Sequence, residues 1–442
     1  MGLTTEKRKM KMYDIITKVK RGEPLTREEI RETVFSYTRG DIPDYQASAF
    51  LMAVCLRGLS DPETAYLTEA IADSGDRLDL SMFGNLTVDK HSSGGVGDKT
   101  TLIVAPIAAS LGCKVAKMSG RGLGHTGGTV DKLESIPGYC TSLSANEFIS
   151  QVDRLGIAVV GQSEGLAPAD KKLYALRDVT ATVDSVPLIT SSIMGKKLAS
   201  GTKNIVLDVK FGSGAFMKTP EDAEILAKSM VTIGKACGRR VSALITDMDT
   251  PLGLAVGNSL EVKEAIDVLR GVGPEDLREI CILTAAEMVS LAKNISSDDA
   301  IVLVTEALDS GKAYTKFTEW ITAQGGDGEA LKNTELLGKA KIYREVYANE
   351  DGYIHSTDAE LIGLSSLALG AGRAKKSDII DPHAGIMLNK KRGDRVYAGD
   401  RLATLFANDE SKLDEAENLL LRAYRFSECK PEKQPLVRDV IR

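Results

Sequence analysis

From about residue 84 to residue 247 the chain keeps returning to one order of events: a short apolar run, a glycine-rich loop, then a helical stretch. NLTVDK leads into HSSGGVGDK and TTLIVAPIAASLG, CKVAKM into SGRGLGHTGGT, and NIVLDVK into FGSGAF and TPEDAEILAKSMVTIGKACG. IAVVGQ and RRVSALITD add two further strand-like runs. Strand alternating with helix implies a mostly parallel sheet. Such sheets bind ligands beyond the carboxyl ends of their strands, and the glycine loops 91–99, 119–129 and 211–216 fall at those ends. In the densest loop, five glycines lie between Ser119 and Gly128. Fixing a glycine costs backbone entropy, and the return is that N–H groups approach an anion with no Cβ in the way. Ser92, Ser93, Ser119, Thr126 and Thr129 add neutral donors, and Lys90 and Lys99 add charge. The expected occupant is an oxyanion, phosphate above all.

The flanking segments follow other rhythms. MYDIITKVKRG, TREEIRETVFSYTRG, PDYQASAFLMAVCLRG and DPETAYLTEAIADSG have helical apolar spacing, and each ends in glycine, a common C-cap. Asp61 before Pro62 reads as an N-cap. ADKKLYALRDVTATVDSVPLITSSIMGKKLASG returns to helix, and helices continue from 259 to about 324. The last hundred residues read as short strands joined by Gly/Asp turns. The predicted fold class is therefore α/β: a small all-helical domain, a large mixed α/β domain with a mostly parallel sheet, and a C-terminal α+β subdomain. The expected boundaries are 1–75 with 169–200, 80–165 with 201–340, and 341–442.

Composition excludes several classes. A net charge of −6 gives no basic field for nucleic acid. No apolar run spans a bilayer, and MGLTTEKRKMKMYD lacks the apolar core of a signal peptide. The cytoplasm is the expected location. Cys55, Cys113, Cys140, Cys237, Cys281 and Cys429 make no CxxC pair and read as buried free thiols. Gly97 is followed by Asp98, not Lys, so the P-loop pattern fails. Gly122 to Gly127 match GxGxxG only locally, without the later acidic residue. The four histidines have no metal-ligand spacing, and there is no GxSxG elbow. His91, between Lys90 and Ser92 at a strand end, is a functional candidate. His125, inside the second loop, divides evenly between a structural and a functional role.

KHSSGGVGDK followed by MSGRGLGHTGGTVDKLESIPGY resembles the signature of the thymidine and pyrimidine-nucleoside phosphorylases. The likeness continues through PADKKLYALRDVTATVDSVPLITSSIMGKKLASG, IVLDVKFGSGAFMK, AVGNSLEVKEAI and LGAGRAKKSDIID, essentially the whole chain. The resemblance implies reversible phosphorolysis of uridine, thymidine and deoxyuridine to free base and α-(deoxy)ribose 1-phosphate, with inorganic phosphate as co-substrate. Thymidine specificity is the narrower alternative. It implies phosphate ligands at Lys90, Ser92, Thr101, Ser119 and Thr129, with backbone from Lys117 and Met118. It implies base contacts from Arg177, Ser192 and Lys196, a pocket lined by Leu123 and Tyr174, and proton delivery by His91. His91, Arg177 and Lys196 form the expected catalytic set. It also implies a potassium ion held by carbonyls of Gly97, Lys99, Leu252 and Ala255 and by the Glu264 carboxylate. Lys99 stands where close relatives have Thr; a carbonyl ligand tolerates that change, while an ammonium nearby opposes a cation. A homodimer through the helical domain is expected, with AFLMAVCL (49–56) as interface or core, and domain closure about 76–84, 160–168 and 198–203.

Two other readings compete. An anthranilate-type phosphoribosyltransferase would hold diphosphate and magnesium, with Asp131 and Glu134 as acidic ligands. The tail turn GDRVYAGDRLATL is similar to the half-barrels of lipoyl and biotin carriers, but Lys390 and Lys391 lack the methionine flanks of a modified lysine, so the tail reads as structural.

Overall fold

A computed structural model describes residues 11–122, 124–163, 165–375 and 377–442. The described residues open with four helices, α1 (Met12–Arg21), α2 (Arg27–Arg39), α3 (Asp44–Arg57) and α4 (Asp61–Ala72). Then come β1 (Val88–Ser92), α5 (Thr100–Ser110), β2 (Val115–Ser119), α6 (Thr129–Glu134), α7 (Ala145–Leu155) and β3 (Ile157–Gly161). Two helices follow, α8 (Pro168–Arg177) and α9 (Val186–Ala199). The chain returns to sheet with β4 (Asn204–Phe211), α10 (Pro220–Ala236), β5 (Arg240–Asp247) and β6 (Ala255–Val256). A helical run comprises α11 (Asn258–Leu269), α12 (Glu275–Lys293), α13 (Ser297–Asp309), α14 (Lys312–Ala323) and α15 (Gly328–Lys332). The last segment holds β7 (Ile342–Tyr347), β8 (Gly352–Thr357), α16 (Ala359–Leu369), β9 (Gly385–Leu388), β10 (Arg395–Val396), β11 (Arg401–Ala407), α17 (Leu413–Ala423), β12 (Tyr424–Ser427) and β13 (Val437–Ile441).

These elements form two compact units. The helical unit comprises the described residues up to Asp79, Ser163–Gly201 and Lys228–Arg239, the last including the second half of α10. Its helices start where capping chemistry places them. In α2, Thr26 accepts from Glu29 N while Thr26 N donates to Glu29 Oε2 at 2.9 Å, which satisfies two otherwise orphaned donors. In α4 the cap is Ser60, one residue before the expected Asp61, because Glu63 is correctly spaced to take Ser60 N at 2.9 Å. The AFLMAVCL run divides: Phe50, Leu51 and Val54 are core, while Leu56 is 76% exposed.

The second unit holds every strand among the described residues. β1, β4 and β5 pair in parallel, and β13 closes the β5 edge antiparallel. β2 and β3 form a parallel pair that abuts β1, where Val88 N donates to Lys114 O at 2.9 Å. β4 is buried along almost its full length, as a parallel strand covered on both faces must be. α5 is apolar all round and buried from Thr100 to Ala109, the mark of a central helix. The register sets Ser92 beside Asp208 and Phe211 beside Asp247, so the first and third glycine loops leave the same end of that sheet.

The C-terminal strands build two antiparallel sheets, ordered β10-β8-β12 and β6-β9-β11-β7. They are stitched to the α/β part, since β6 pairs with β9 and β13 with β5. The thiols depart from expectation. All six are free, but only Cys113 and Cys281 are buried, and Cys140 and Cys429 are exposed.

Candidate active site

The expected phosphate ligands all lie in the α/β unit. Lys90 and Ser92 end β1, Thr101 is the second residue of α5, Lys117, Met118 and Ser119 end β2, and Thr129 opens α6. Ser92 Oγ accepts from Gly94 N at 3.2 Å and pins the start of the first loop. Lys90 is 2% exposed, and its ammonium meets Asp208 at 2.9 Å, Thr100 Oγ1 at 2.6 Å and Asp98 at 3.5 Å. Burial, the largest influence, pulls its pKa down, but Asp208 and Asp98 outweigh it and hold the group above its ordinary value. Lys210 Nζ lies 2.9 Å from the same Asp208, and Lys117 Nζ lies 3.1 Å from Asp89. Three lysines and three aspartates thus share one buried network behind the loops.

The second loop closes on itself. Gly122 N donates to Asp131 Oδ2 at 2.7 Å, and a Cβ on Gly128 would stand 2.1 Å from Gly122 N. Two glycines are therefore required by the loop's own backbone, while Gly120 has nothing within 4 Å. Asp131 also pairs with Arg373 at 2.9 Å, and Glu134 pairs with Arg121 and accepts from Thr141. His91 is half-buried at the end of β1. His125 packs under α16, and its Nε2 is buried with no hydrogen-bond partner among the described residues. Burial pushes its pKa down.

The expected base-binding residues lie in the helical unit. Ser192 and Lys196 share a face of α9, with Nζ 3.4 Å from the Ser192 hydroxyl. Asp170 on α8 accepts from Lys196 at 2.8 Å. Tyr174 is 39% exposed, its ring 5.7 Å from the Arg177 guanidinium. Arg177 is not a surface charge. It is 3% exposed and donates to the carbonyls of Thr182 (3.1 Å), Leu188 (3.0 Å) and Val183 (2.9 Å). Burial pulls its pKa down. Leu123 lies outside the described residues.

The five residues expected around potassium do converge, but about a different centre. Lys99 enters by its ammonium rather than its carbonyl, donating to Leu252 O at 3.0 Å, Ala255 O at 2.7 Å and Glu264 Oε2 at 2.5 Å. Gly97 lies against the same two carbonyls. With Nζ inside, the residues present do not fit a potassium ion there.

Three family profiles match: the glycosyl transferase family helical bundle domain over residues 13–75, the glycosyl transferase family a/b domain over 84–314, and the pyrimidine nucleoside phosphorylase C-terminal domain over 353–427. The pyrimidine-nucleoside phosphorylase of Geobacillus stearothermophilus is 51% identical over 433 residues, 98% of this chain and 100% of the relative. That of Bacillus subtilis strain 168 is 54% identical over 403 residues, 91% of this chain and 93% of the relative. The chain belongs to the pyrimidine-nucleoside phosphorylase family. Its fold is shared more widely. Anthranilate phosphoribosyltransferase from Thermus thermophilus superposes with a TM-score of 0.59 at 20% identity, covering 70% of this chain and 99% of that one.

In this chain, sequence reasoning missed Asp89, Asp98, Asp208, Lys210 and Asp170. A signal existed for two of them. Asp208 and Lys210 interrupt the apolar strand NIVLDVKF two residues apart, so both point to one face, and buried charges need partners.

Proposed function

We propose that this chain catalyses the reversible phosphorolysis of pyrimidine nucleosides, with uridine, thymidine and deoxyuridine as substrates. The products are the free base and α-(deoxy)ribose 1-phosphate. The observation that carries this is identity of 51–54% to two pyrimidine-nucleoside phosphorylases across more than nine-tenths of each. Phosphate is the nucleophile, so the protein needs an anion cradle and no nucleophile of its own. Lys90, Ser92, Thr101, Ser119 and Thr129, with backbone from Lys117 and Met118, bind it. Arg177, Ser192 and Lys196 take the base, with the Tyr174 ring beside Arg177. Three of the five Arg177 donors are used on carbonyls, which leaves two for the pyrimidine. Donors preset toward the departing base stabilise the charge it gains. His91 delivers the proton. Asp131 and Glu134 are already engaged by arginines and backbone, so no observation favours a magnesium–diphosphate transferase.

The protein acts as a homodimer in the cytoplasm, with no nucleic acid or membrane partner. Tyr13, Tyr45 and Leu56, each more than 70% exposed on α1 and α3, support pairing through the helical unit, and sedimentation velocity tests it. No helix among the described residues is long and apolar enough to cross a membrane.

Activity is tested by following base release from thymidine and uridine, with and without phosphate, for wild type and Lys196→Ala. Phosphate-dependent release from both, lost in the variant, is expected. Release from thymidine alone narrows the substrate range, and no release from either overturns the reading.

A further inference from the structure

The turn between β5 and α11 directs its carbonyls at two lysine ammoniums. Lys99, the N-cap of α5 and 0% exposed, donates to Leu252 O, Ala255 O and the Glu264 carboxylate. An ammonium has three donors, and all three are satisfied. Lys391, from the C-terminal segment, donates to Pro251 O at 2.8 Å, Gly253 O at 2.9 Å and Asp276 Oδ2 at 2.5 Å. Four carbonyls of one short turn, at 251, 252, 253 and 255, are thus held by charges that the chain supplies itself. Glu264 is closed off as well: its Oε1 accepts from Leu254 N at 2.8 Å and Ala255 N at 3.1 Å. The same turn grips the first glycine loop. Leu252 N donates to Val96 O at 3.1 Å, and Gly97 sits so close that a Cβ there would stand 2.5 Å from Leu252 O.

We propose that Lys99 is a built-in monovalent cation: its tethered ammonium fills the carbonyl–carboxylate cage that would otherwise take an alkali ion, and it orders loop 93–99 without one. Converging carbonyls with one carboxylate attract a hard cation of ammonium size. A covalent tether supplies that charge at no cost in ion-binding entropy and makes it impossible to dialyse away. Lys99 is a positioning residue for the loop that carries the α5 end of the anion cradle.

The test compares melting temperature and phosphorolysis rate in potassium, rubidium, lithium and choline chlorides at matched ionic strength. A ligand that does not bind the native state does not shift its stability. Wild type is therefore expected to melt alike in all four salts and to turn over at the same rate, because matched ionic strength screens exposed charges equally. Lys99→Thr, which removes the ammonium and leaves the oxygens, is expected to melt several degrees higher in potassium or rubidium than in choline. Its rate gain in potassium is expected to be about tenfold, with phosphate KM carrying most of it. Lys99→Met, whose uncharged stem still fills the cage, gains no such rescue. Stabilisation of wild type specific to potassium and rubidium overturns the proposal, as does a folded Lys99→Thr indifferent to potassium. Should Lys99→Thr not fold, the wild-type melting series decides alone. Because melting needs no substrate, this proposal stands or falls separately from the phosphorolysis reading.

Discussion

The unit of design at the residue scale is the buried ion network behind the glycine loops. Asp208 faces Lys90 and Lys210, each at 2.9 Å and each essentially without exposure. Asp208→Ala removes the nearest carboxylate from two buried ammoniums, leaving them only Asp98 at 3.5 and 4.0 Å, and is expected to cost about 3–5 kcal/mol in urea unfolding. Burial, the largest influence on Asp208, raises its pKa, but Lys210 and Lys90 reverse that and hold it below the usual carboxylate value of 3.8. A depressed folded pKa stabilises above the unfolded value and loses that contribution as pH falls below it. The wild-type acid-unfolding limb below pH ~4 is therefore expected to contain a component that Asp208→Asn lacks. In the helical unit, Asp170→Asn releases Lys196 from its 2.8 Å partner. That pair is part-exposed, so stability should change by less than about 1 kcal/mol, while kcat/KM for nucleoside falls about tenfold. Ser192 and Lys196 were legible as a pair because four residues on a helix share a face. Asp170 was not, because it lies 26 residues from Lys196 in the chain and only the packing of α8 on α9 joins them.

Between the residue and the molecule stands the loop 119–129. Its sequence reads as backbone bared for a ligand, and the structure divides that role. Gly122 and Gly128 touch one another, whereas Gly120 faces open space. Gly128→Ala is expected to lower both melting temperature and phosphate affinity, because a Cβ 2.1 Å from a backbone nitrogen forces the loop open. Gly120→Ala should leave the melting temperature near wild type. Phosphate titration of both variants beside thermal melts checks the contrast. Amphipathic helices are readable from their apolar spacing, as α1 and α2 illustrate, and capping boxes mark the starts of α2 and α4. α7 escapes that reading although Ser144 N donates to Glu147 Oε2 at 2.9 Å in a capping box. α16 and α17 belong to a tail expected to be α+β, but its Gly/Asp turns mark only the strands and leave the two helices unplaced.

For the whole molecule, the informative feature is β13. Composition and turn chemistry set the last hundred residues apart as a subdomain. They give no hint that Val437–Ile441 would cross to β5 and cover the edge of the parallel sheet, since pairing between distant segments leaves no local periodicity. Arg442 then meets buried Glu287 and Ser297. Removing residues 436–442 is expected to lower the melting temperature and increase light scattering on heating, because an uncovered strand edge recruits other chains. Differential scanning fluorimetry with simultaneous scattering reads both. The placement of β13 also has a consequence for biosynthesis. Chains emerge amino end first at about 5–20 residues per second. β1, β4 and β5 are therefore outside the ribosome well before the strand that shields them. The α/β sheet is born with an open flank, and nascent chains halted anywhere between β5 and residue 437 carry that sticky border into a crowded cell.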